Sequence, residues 1–374
     1  MDMAITRKQS LPAEHPVGAL EVVATFEGPM PTGVTVSHTG RVFVNFPKWG
    51  DEVDYTVAEL RAGQTVPYPN PAINRTDMRD QASTLVSVQS VVVDPADRLW
   101  ILDTGSPFHQ PTEYGGPKLV CVDLATDRVV QTILFSQDVA LPTTYLNDVR
   151  FNLQLGDAGV AFITDSSRHG PNGIVVVDLA TEESWRRLHD HPSTKPETLQ
   201  NFLPLVEGRP FLQRHADGTV QVGPASGADG IAISADGSRL FYCPLAGRRL
   251  YSVATDMLVD RSHDEAAVVA TVVDEGDRGG AADGLESDAD GNLYATNYEH
   301  NAILRRGPDG LWETIAHDPR LLWPDTLSVA TNGYLYATAN QLHRQARYHQ
   351  GRDLREKPYS LFRLHIGAQP VMLA

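Results

Sequence analysis

The chain has 374 residues, a formal net charge of −16 and 41% hydrophobic residues. This length exceeds that of most compact domains, but propellers and other repeat folds of this size form one unit. The negative charge repels phosphate backbones and anionic membrane surfaces, so we expect neither nucleic acid nor membrane as a partner. No apolar run approaches the roughly 20 residues that a membrane-spanning helix needs.

The N-terminal segment is polar and lacks the apolar core of a signal peptide. We expect residues 1–18 to be a flexible arm, followed by a single domain over residues 19–374, and we expect a monomer. The expected location is the cytoplasm, or outside the cell if a signal was removed from the chain. The two cysteines, Cys121 and Cys243, lie in strand-like runs and not in a C-x-x-C motif, so we expect buried free thiols.

One pattern recurs six times along the chain: an apolar strand, a tight polar turn and a second apolar strand. Turns such as Asp236-Gly237 and Asp290-Gly291 supply the positive φ that tight hairpins need. Further strands follow most copies, so each repeat is predicted to be a four-stranded antiparallel sheet. Radial stacking of the sheets leaves few edges exposed, and the predicted fold is an all-β, six-bladed β-propeller. The copies are residues 33–45, 90–103, 147–165, 229–243, 283–297 and 325–340.

The two ends of the chain predict how the ring closes. The last copy has only three strands, whereas residues 20–26 precede the first copy and have no partner there. We therefore predict that residues 20–26 form the outer strand of the last blade. Uneven spacing places insertions at about residues 69–86, 190–227 and 341–358, and the second includes a predicted hairpin around Asp217-Gly218.

Strand direction predicts where a site forms. First strands line the central channel, so the residues that start them converge on its mouth, together with the residues that end the second strands. The starting residues are Gln89, Asn147, Asp148, Asp229, Asp283 and Asp325, and the ending residues are Asn45, Asp103, Asp165, Asn297 and Asn340.

These polar residues allow more than one chemistry. Crowded carboxylates raise one another's pKa, which suits acid/base catalysis. Oxygen ligands also suit a hard cation such as Ca²⁺ or Mg²⁺. For any single aspartate, bonding to local backbone N–H groups is an equally open role.

The predicted site residues follow from these alternatives and from two aromatic residues just beyond a second strand, which suit stacking on a ring. The predicted catalytic residues are Asp148, Asp229, Asp283 and Asp325. The predicted substrate-binding residues are Gln89, Asp103, Asp165, Asn297, Asn340, Phe46 and Trp49. If a divalent cation binds, its predicted ligands are Asn147, Asp229 and Asp283.

The segment 343–355 is locally basic in an acidic chain and leaves the same face of the predicted propeller. It either covers the funnel and attracts an anionic ligand or forms a solvated surface loop.

Several segments together resemble the major royal jelly/yellow protein family. They include residues 98–105, 146–151, 163–166 and 323–329, in the order of that family, and the resemblance covers roughly residues 19–366. It implies a six-bladed propeller. Insect members are tied to pigmentation, some are described as dopachrome-converting, and others bind biogenic amines. Without a visible signal and the cysteine content of secreted members, this chain resembles a bacterial-type member.

More distantly, the chain resembles the regucalcin/gluconolactonase propellers. The members of that family use a Glu, Asn and Asp set to hold a divalent metal that polarises a lactone carbonyl. Here Glu27 resembles their first-blade glutamate, but Asp229 starts the fourth repeat where an Asn-Gly pair would be expected.

Three functions remain open from the sequence. The favoured one is an enzyme that acts on a small aromatic or cyclic molecule by carboxylate acid/base chemistry, as a tautomerase or isomerase does. The second is a divalent-metal-dependent, lactonase-type hydrolase. The third is a protein that binds an amine without turnover, by means of aromatic and carboxylate groups.

Overall fold

The computed structural model describes residues 16–198, 200–214, 219–223 and 225–374. The described residues form six four-stranded antiparallel sheets, and the predicted six-bladed β-propeller is confirmed. Within blades 1 to 5 the strands follow one another in chain order. Each of these five blades is therefore built from consecutive segments of the chain.

The first three blades come from residues 34–187. Blade 1 contains Val34–Val36, Val42–Asn45, Val57–Arg61 and Gln64–Pro67. Blade 2 contains Val88–Val93, Arg98–Asp103, Lys118–Asp123 and Arg128–Leu134. Blade 3 contains Leu146–Asn152, Val160–Asp165, Gly173–Asp178 and Ser184–Arg187.

The last three blades come from residues 228–365 and from the N-terminal strand. Blade 4 contains Ala228–Ile233, Arg239–Pro244, Arg249–Ala254 and Val273–Asp277. Blade 5 contains Leu285–Ser287, Leu293–Asn297, Ala302–Arg306 and Trp312–His317. Blade 6 contains Pro324–Val329, Tyr334–Ala339, Tyr359–His365 and Glu21–Phe26.

The ring closes in blade 6 as the sequence predicts. Glu21–Phe26 pairs antiparallel with Tyr359–His365, with Phe26 opposite Tyr359. This pairing joins the N-terminal strand to the C-terminal part of the chain in one sheet. Residues 1–15 of the predicted arm lie outside the described residues, and Val17 forms an antiparallel bridge with His317 in blade 5.

Short helices and hairpins fill the connections between strands. The insertion between blades 3 and 4 holds two hairpins, and the turn predicted around Asp217-Gly218 lies outside the described residues. These hairpins pair Leu205–Val206 with Arg209–Pro210 and Leu212–Arg214 with Val220–Val222. No helix among the described residues is long and apolar enough to cross a membrane. The α-helices are Pro71–Asn74, Thr255–Val259 and Glu265–Val269, and the 3₁₀ turns are Pro107–His109, Pro192–Thr194, Leu342–Arg344 and Ala346–Tyr348.

The apolar core lies largely between neighbouring blades. Trp100 of blade 2 stacks on Phe151 of blade 3 with ring centroids 5.2 Å apart. Cys121 lies in the same cluster, Cys243 lies between blades 4 and 5, and both are buried free thiols as expected. Burial raises the pKa of Cys121 to about 12 and that of Cys243 to about 11, so both remain protonated at neutral pH.

Candidate functional site

A β-bulge recurs near the start of the first strand in four blades. The pairing register shifts between Val88 and Ser90, between Leu146 and Val149, between Ala228 and Ile231, and between Pro324 and Leu327. A bulge leaves residues out of the regular pairing and re-aims their side chains. The residues inside these bulges include Gln89, Asn147, Asp229 and Asp325, which are four of the predicted site residues.

Close packing between first strands explains why glycine follows the aspartate near the start of the first strands of blades 4 and 5. A Cβ on Gly230 would lie 2.4 Å from the Asp283 carbonyl oxygen, and a Cβ on Gly284 would lie 2.3 Å from the Asp325 carbonyl oxygen. No side chain fits at either position, because adjacent first strands approach each other this closely. The glycines thereby bring three aspartates together, and we call Asp229, Asp283 and Asp325 the channel aspartates.

A cavity of about 330 Å³ opens above the channel aspartates. Asp229, Asp283, Asn147 and Gln89 line it, whereas Asp325 does not and lies behind them, bonded to Asn340. Pockets of this size hold small organic ligands. The remaining lining residues come from loops beyond the strands, and they include Trp49, His109, Tyr145, Ser166, Arg168, His169, Ser226, Leu245 and Leu342.

The channel aspartates receive hydrogen bonds from neutral groups and lie against one another. Asn147 Nδ2 donates to Asp229 at 2.7 Å, Trp323 Nε1 donates to Asp283 at 2.7 Å, and Asn340 Nδ2 donates to Asp325 at 2.6 Å. Burial, and then the neighbouring carboxylates, raise the pKa of Asp229 and of Asp325 well above the usual value. Burial also raises the pKa of Asp283 to about 6, although hydrogen bonds from Trp323 and Asp229 oppose this rise.

Asp229 and Asp283 interact directly. A hydrogen bond between the two carboxyls raises the pKa of Asp229 and lowers that of Asp283, so Asp229 keeps the proton and donates it to the Asp283 carboxylate. Such a pair titrates in coupled steps. At neutral pH it therefore presents one acid and one base to the same cavity.

Asp148, the fourth predicted catalytic residue, lies outside the cavity lining. Its carboxylate accepts hydrogen bonds from Ser90 Oγ at 2.6 Å and from Arg150 Nη1 at 3.0 Å. Arg150 also donates to the carbonyl of Leu285. The bulge turns Asn147 toward the cavity. Asp148 instead forms an ion pair with Arg150 of the same blade, and the bonds of this pair to Ser90 and Leu285 tie blade 3 to blades 2 and 5.

Two predicted substrate-binding residues are bonded within their own blades, and we call Asp103 and Asp165 the anchor aspartates. Asp103 accepts bonds from the backbone N–H groups of Val86, Ser87 and Gly105 and pairs with Lys118 at 2.8 Å. Asp165 accepts bonds from the N–H groups of Tyr145 and Ser167 and pairs with Arg186 at 2.9 Å. Both are fully buried and neither lines the cavity. The structure therefore does not bring them to the ligand space as predicted, since their oxygens hold the strand ends.

Of the other predicted substrate-binding residues, some line the cavity and some do not. Gln89 and Trp49 line the cavity. Phe46 instead packs in the core against Phe26, with ring centroids 5.7 Å apart, and Asn297 packs against Gly280 outside the cavity. Asn340 acts through Asp325 rather than at the cavity surface.

One wall of the cavity is aromatic and hydrogen-bonded. The Trp49 indole stacks on the His109 ring at 5.4 Å and donates from Nε1 to the Tyr145 hydroxyl at 2.7 Å. That hydroxyl donates in turn to Gln89 Oε1 at 3.0 Å. These bonds fix an aromatic wall beside the carboxyl pair, in which the Trp49 and His109 rings stack and the Tyr145 ring is tilted by 41° to Trp49, and such a wall suits stacking with a ring of a ligand.

The sequence analysis did not identify Tyr145, His109, Arg168 or Trp323. His109 and Arg168 follow the second strands of blades 2 and 3, just as Trp49 follows that of blade 1. A position just beyond a second strand was the signal for Trp49, and His109 and Arg168 share it. Nothing in the sequence indicated the Trp323–Asp283 bond, because it joins two blades.

The three residues predicted as metal ligands, Asn147, Asp229 and Asp283, all line the cavity. Among the described parts of the chain, no three His, Cys, Asp or Glu side chains could hold a metal ion together. In the predicted set of Asn147, Asp229 and Asp283, the Asn147 Nδ2 atom donates a hydrogen bond to Asp229 at 2.7 Å. Glu27 is exposed and does not line the cavity.

The same architecture occurs in solved structures of low sequence identity. Regucalcin from Agrobacterium tumefaciens, described as a calcium-binding protein, superposes with a TM-score of 0.58 at 14% identity over 93% of this chain and 95% of its own. A gluconolactonase from Xanthomonas campestris gives a TM-score of 0.51 at 13% identity over 95% of this chain and 98% of its own. At these identities the likeness establishes the fold alone.

Sequence comparison finds insect relatives. Protein yellow from Drosophila erecta is 27% identical over 247 residues, which cover 62% of this chain and 42% of that protein. Major royal jelly protein 7 from Apis mellifera is 28% identical over 205 residues, which cover 54% of this chain and 42% of that protein. The matched regions are thus less than half of these relatives. The family model for major royal jelly protein matches residues 86–363, from the first strand of blade 2 into the third strand of blade 6, and the chain therefore belongs to the major royal jelly protein family.

Proposed function

We propose that this protein is a small-molecule isomerase of the tautomerase kind, which moves a proton on a planar cyclic or aromatic substrate. The observation that carries the proposal is the pair of cavity-lining carboxyls, Asp229 and Asp283, which share a hydrogen bond and have raised pKa values. A catalytic acid and base work best when their pKa values lie near the working pH.

The two carboxyls take opposite roles. The Asp283 carboxylate, with a pKa of about 6, removes a proton from a carbon next to a carbonyl or imine. Protonated Asp229 delivers its proton to the other end of the conjugated system. The substrate is thereby isomerised without net gain or loss of atoms. Afterwards Asp283 carries the proton and Asp229 the charge, and the direct hydrogen bond between them returns the proton.

The surroundings support this division of roles. The Trp323 indole N–H holds the Asp283 carboxylate in place, and the Asn147 amide holds Asp229. Burial keeps water away from both groups, which strengthens their interaction. The aromatic wall of Trp49, His109 and Tyr145 lies beside the pair and supports the orientation of a ring above it.

Solvent deuterium exchange tests the proposal without knowledge of the natural substrate. A panel of enolisable cyclic and aromatic ketones and 2-oxo acids is incubated with the protein in D₂O, and loss of the α-proton is followed by ¹H NMR. We expect the wild-type chain to accelerate exchange for at least one member. Asp283→Asn and Asp229→Asn should each lower that rate by about 100-fold or more.

Asp236→Asn is the matched control, because Asp236 is an exposed aspartate in a hairpin turn of blade 4. It should exchange like the wild type. Equal exchange by wild type and Asp283→Asn would contradict the proposal. Hydrolysis of a lactone that EDTA abolishes would favour the metal-dependent alternative, and tight binding of an aromatic amine with no exchange on any compound would favour a binding protein.

A further inference from the structure

In the part of the chain that the structure describes, two arginines near the cavity have no acidic partner. Arg168 follows the second strand of blade 3 and lines the cavity, and Arg347 lies in the 3₁₀ turn Ala346–Tyr348. Among the residues that the structure describes, no carboxylate pairs with either guanidinium. The Nε and Nη2 atoms of Arg347 are buried without any hydrogen-bond partner, and its Nη1 contacts only His109 Nε2, at 3.5 Å.

In the described part of the chain, neither guanidinium group is therefore paired directly with a carboxylate. Burial and then the Arg347 charge lower the pKa of Arg168 to about 10. Burial, followed by the charges of Arg168 and Arg347, lowers the pKa of His109 well below its usual value, so this histidine is neutral. Most other arginines of the chain pair with a carboxylate, as Arg355 does with Asp51 and Arg248 with Glu299. Half-buried guanidinium groups without a carboxylate partner are suited to receive an anion from a ligand.

The position of Arg168 and Arg347 relative to the channel aspartates limits the kind of anionic group that a ligand can place beside them. Arg168 lines the same cavity as Asp229 and Asp283. A doubly charged phosphate would meet strong repulsion from the carboxyl pair. A single carboxylate balances the arginines without adding as much repulsion, and its two oxygens match the planar donors of a guanidinium.

We propose that the ligand of this cavity is a planar organic monocarboxylate whose carboxylate binds Arg168 and Arg347 while its ring lies against Trp49. The position of the reacting carbon above Asp283 rests on the proposed function, but the recognition of the carboxylate does not. A loop residue of blade 3 and a residue between the second and third strands of blade 6 thus select the ligand, whereas the starts of first strands supply the acid and base.

Ligand-observed ¹⁹F NMR tests the recognition directly on the full chain. The probes are 4-fluorobenzoate, the neutral 4-fluorobenzamide and the cationic 4-fluorobenzylamine. We expect the benzoate to bind at least about tenfold more tightly than the other two. Arg168→Gln and Arg347→Gln should each weaken benzoate binding by about tenfold or more and leave benzamide binding unchanged.

Arg249→Gln is the matched control, since Arg249 pairs with Asp274 on the outer part of blade 4. It should bind all three probes like the wild type. Both site variants should keep or raise the melting temperature, because each removes an unpaired charge, so lost binding would not reflect unfolding. Equal binding of benzoate and benzamide, or unchanged benzoate binding in both site variants, would overturn the inference.

The outcomes separate this inference from the proposed function. Benzoate binding that depends on Arg168 and Arg347, with no deuterium exchange on any substrate, would uphold the carboxylate site and refute the isomerase. Exchange that depends on Asp283 but is equally fast for neutral and acidic substrates would uphold the isomerase and refute the carboxylate site. Phenyl phosphate binding more than tenfold tighter than fluorobenzoate would overturn the choice of a monocarboxylate.

Discussion

Two sets of aspartates lie on the same face of the propeller and behave oppositely. The anchor aspartates, Asp103 and Asp165, each pair with a buried cation and accept backbone N–H groups. The channel aspartates, Asp229, Asp283 and Asp325, receive bonds from neutral donors and face one another. Burial is nearly complete in both sets. This difference shows that the hydrogen-bond and ion-pair partners of a carboxylate, and not its burial or residue type, decide whether it stabilises the fold or remains free for proton transfer.

The largest expected effect comes from breaking an anchor. Asp103→Asn leaves the Lys118 ammonium group, which is 1% exposed, without its counter-charge. Loss of one partner of a buried pair typically costs about 3–5 kcal/mol. We expect the free energy of unfolding, measured by urea titration at pH 7, to fall by about that amount.

The double variant Asp103→Asn/Lys118→Met sharpens this test, because it removes the stranded charge as well. It should recover part of the loss, and Asp236→Asn on the surface should change the free energy of unfolding by less than about 0.5 kcal/mol. A loss of under 1 kcal/mol in Asp103→Asn would contradict the anchoring role.

The same aspartate-to-asparagine change at a channel aspartate should raise the free energy of unfolding instead of lowering it. The folded state raises the pKa of Asp283 from 3.8 to about 6, so ionising this residue at neutral pH destabilises the fold by about 3 kcal/mol. Asp283→Asn removes the charge and leaves an amide oxygen that accepts the Trp323 N–H. We expect its free energy of unfolding at pH 8 to exceed that of the wild type by up to about 3 kcal/mol, in the same urea assay.

The pH dependence of that difference follows from the sign of the shift. With a raised pKa, the folded state holds the proton more tightly than the unfolded state between pH 3.8 and about 6, so wild-type stability falls as pH rises through this window. The advantage of Asp283→Asn should be absent below about pH 4, grow up to about pH 6 and level off above it. Urea titrations at pH values from 3.5 to 8 measure this profile, and a constant advantage across the range would contradict the raised pKa.

A smaller loss is expected when the close approach of the first strands is disturbed. A Cβ on Gly230 would lie 2.4 Å from the Asp283 carbonyl oxygen and 3.2 Å from Cys243 Sγ. Forcing extra volume into a packed site costs about 1–3 kcal/mol. We expect Gly230→Ala to lower the free energy of unfolding by about 2 kcal/mol in the same assay, whereas Gly28→Ala, with nothing within 4 Å of the added carbon, should be neutral.

The smallest effect concerns Asn340, which stands at the end of a second strand as Asp103 does but serves a channel aspartate. Asn340→Ala removes the donor to Asp325 and the acceptor for the Leu342 N–H. A loss of about 1 kcal/mol is expected near pH 7. Thermal melts of Asn340→Ala and of the wild type at pH 7 measure this loss.

Most of the fold could be predicted from local pattern. The strand–turn–strand repeats, the unpaired strand near the N-terminus and the incomplete last copy together indicated six blades and the way they close. Hydrophobic periodicity and tight turns are local properties, and the contacts within a blade join neighbouring segments of the chain.

The candidate site could be predicted only in outline. Strand direction placed Asp229, Asp283, Asn147, Gln89 and Trp49 at the channel mouth, and they line one cavity. It also placed Asp103 and Asp165 there, and it missed Arg168 and Tyr145. The bulges at Asn147 and Asp229 decided which side chain of each strand start faces the cavity, and sequence gives no register for a bulge.

The sequence by itself therefore determined the class of fold, the number of blades, the closure and the face that carries the polar residues. Only the tertiary structure decided which carboxylates meet a cation and which meet each other. Lys118 and Arg186 reach their aspartates within a blade, whereas the contacts of Asp229 with Asn147 and of Asp283 with Trp323 join different blades. Electrostatic interactions depend on distances of a few ångströms, and blade packing fixes those distances.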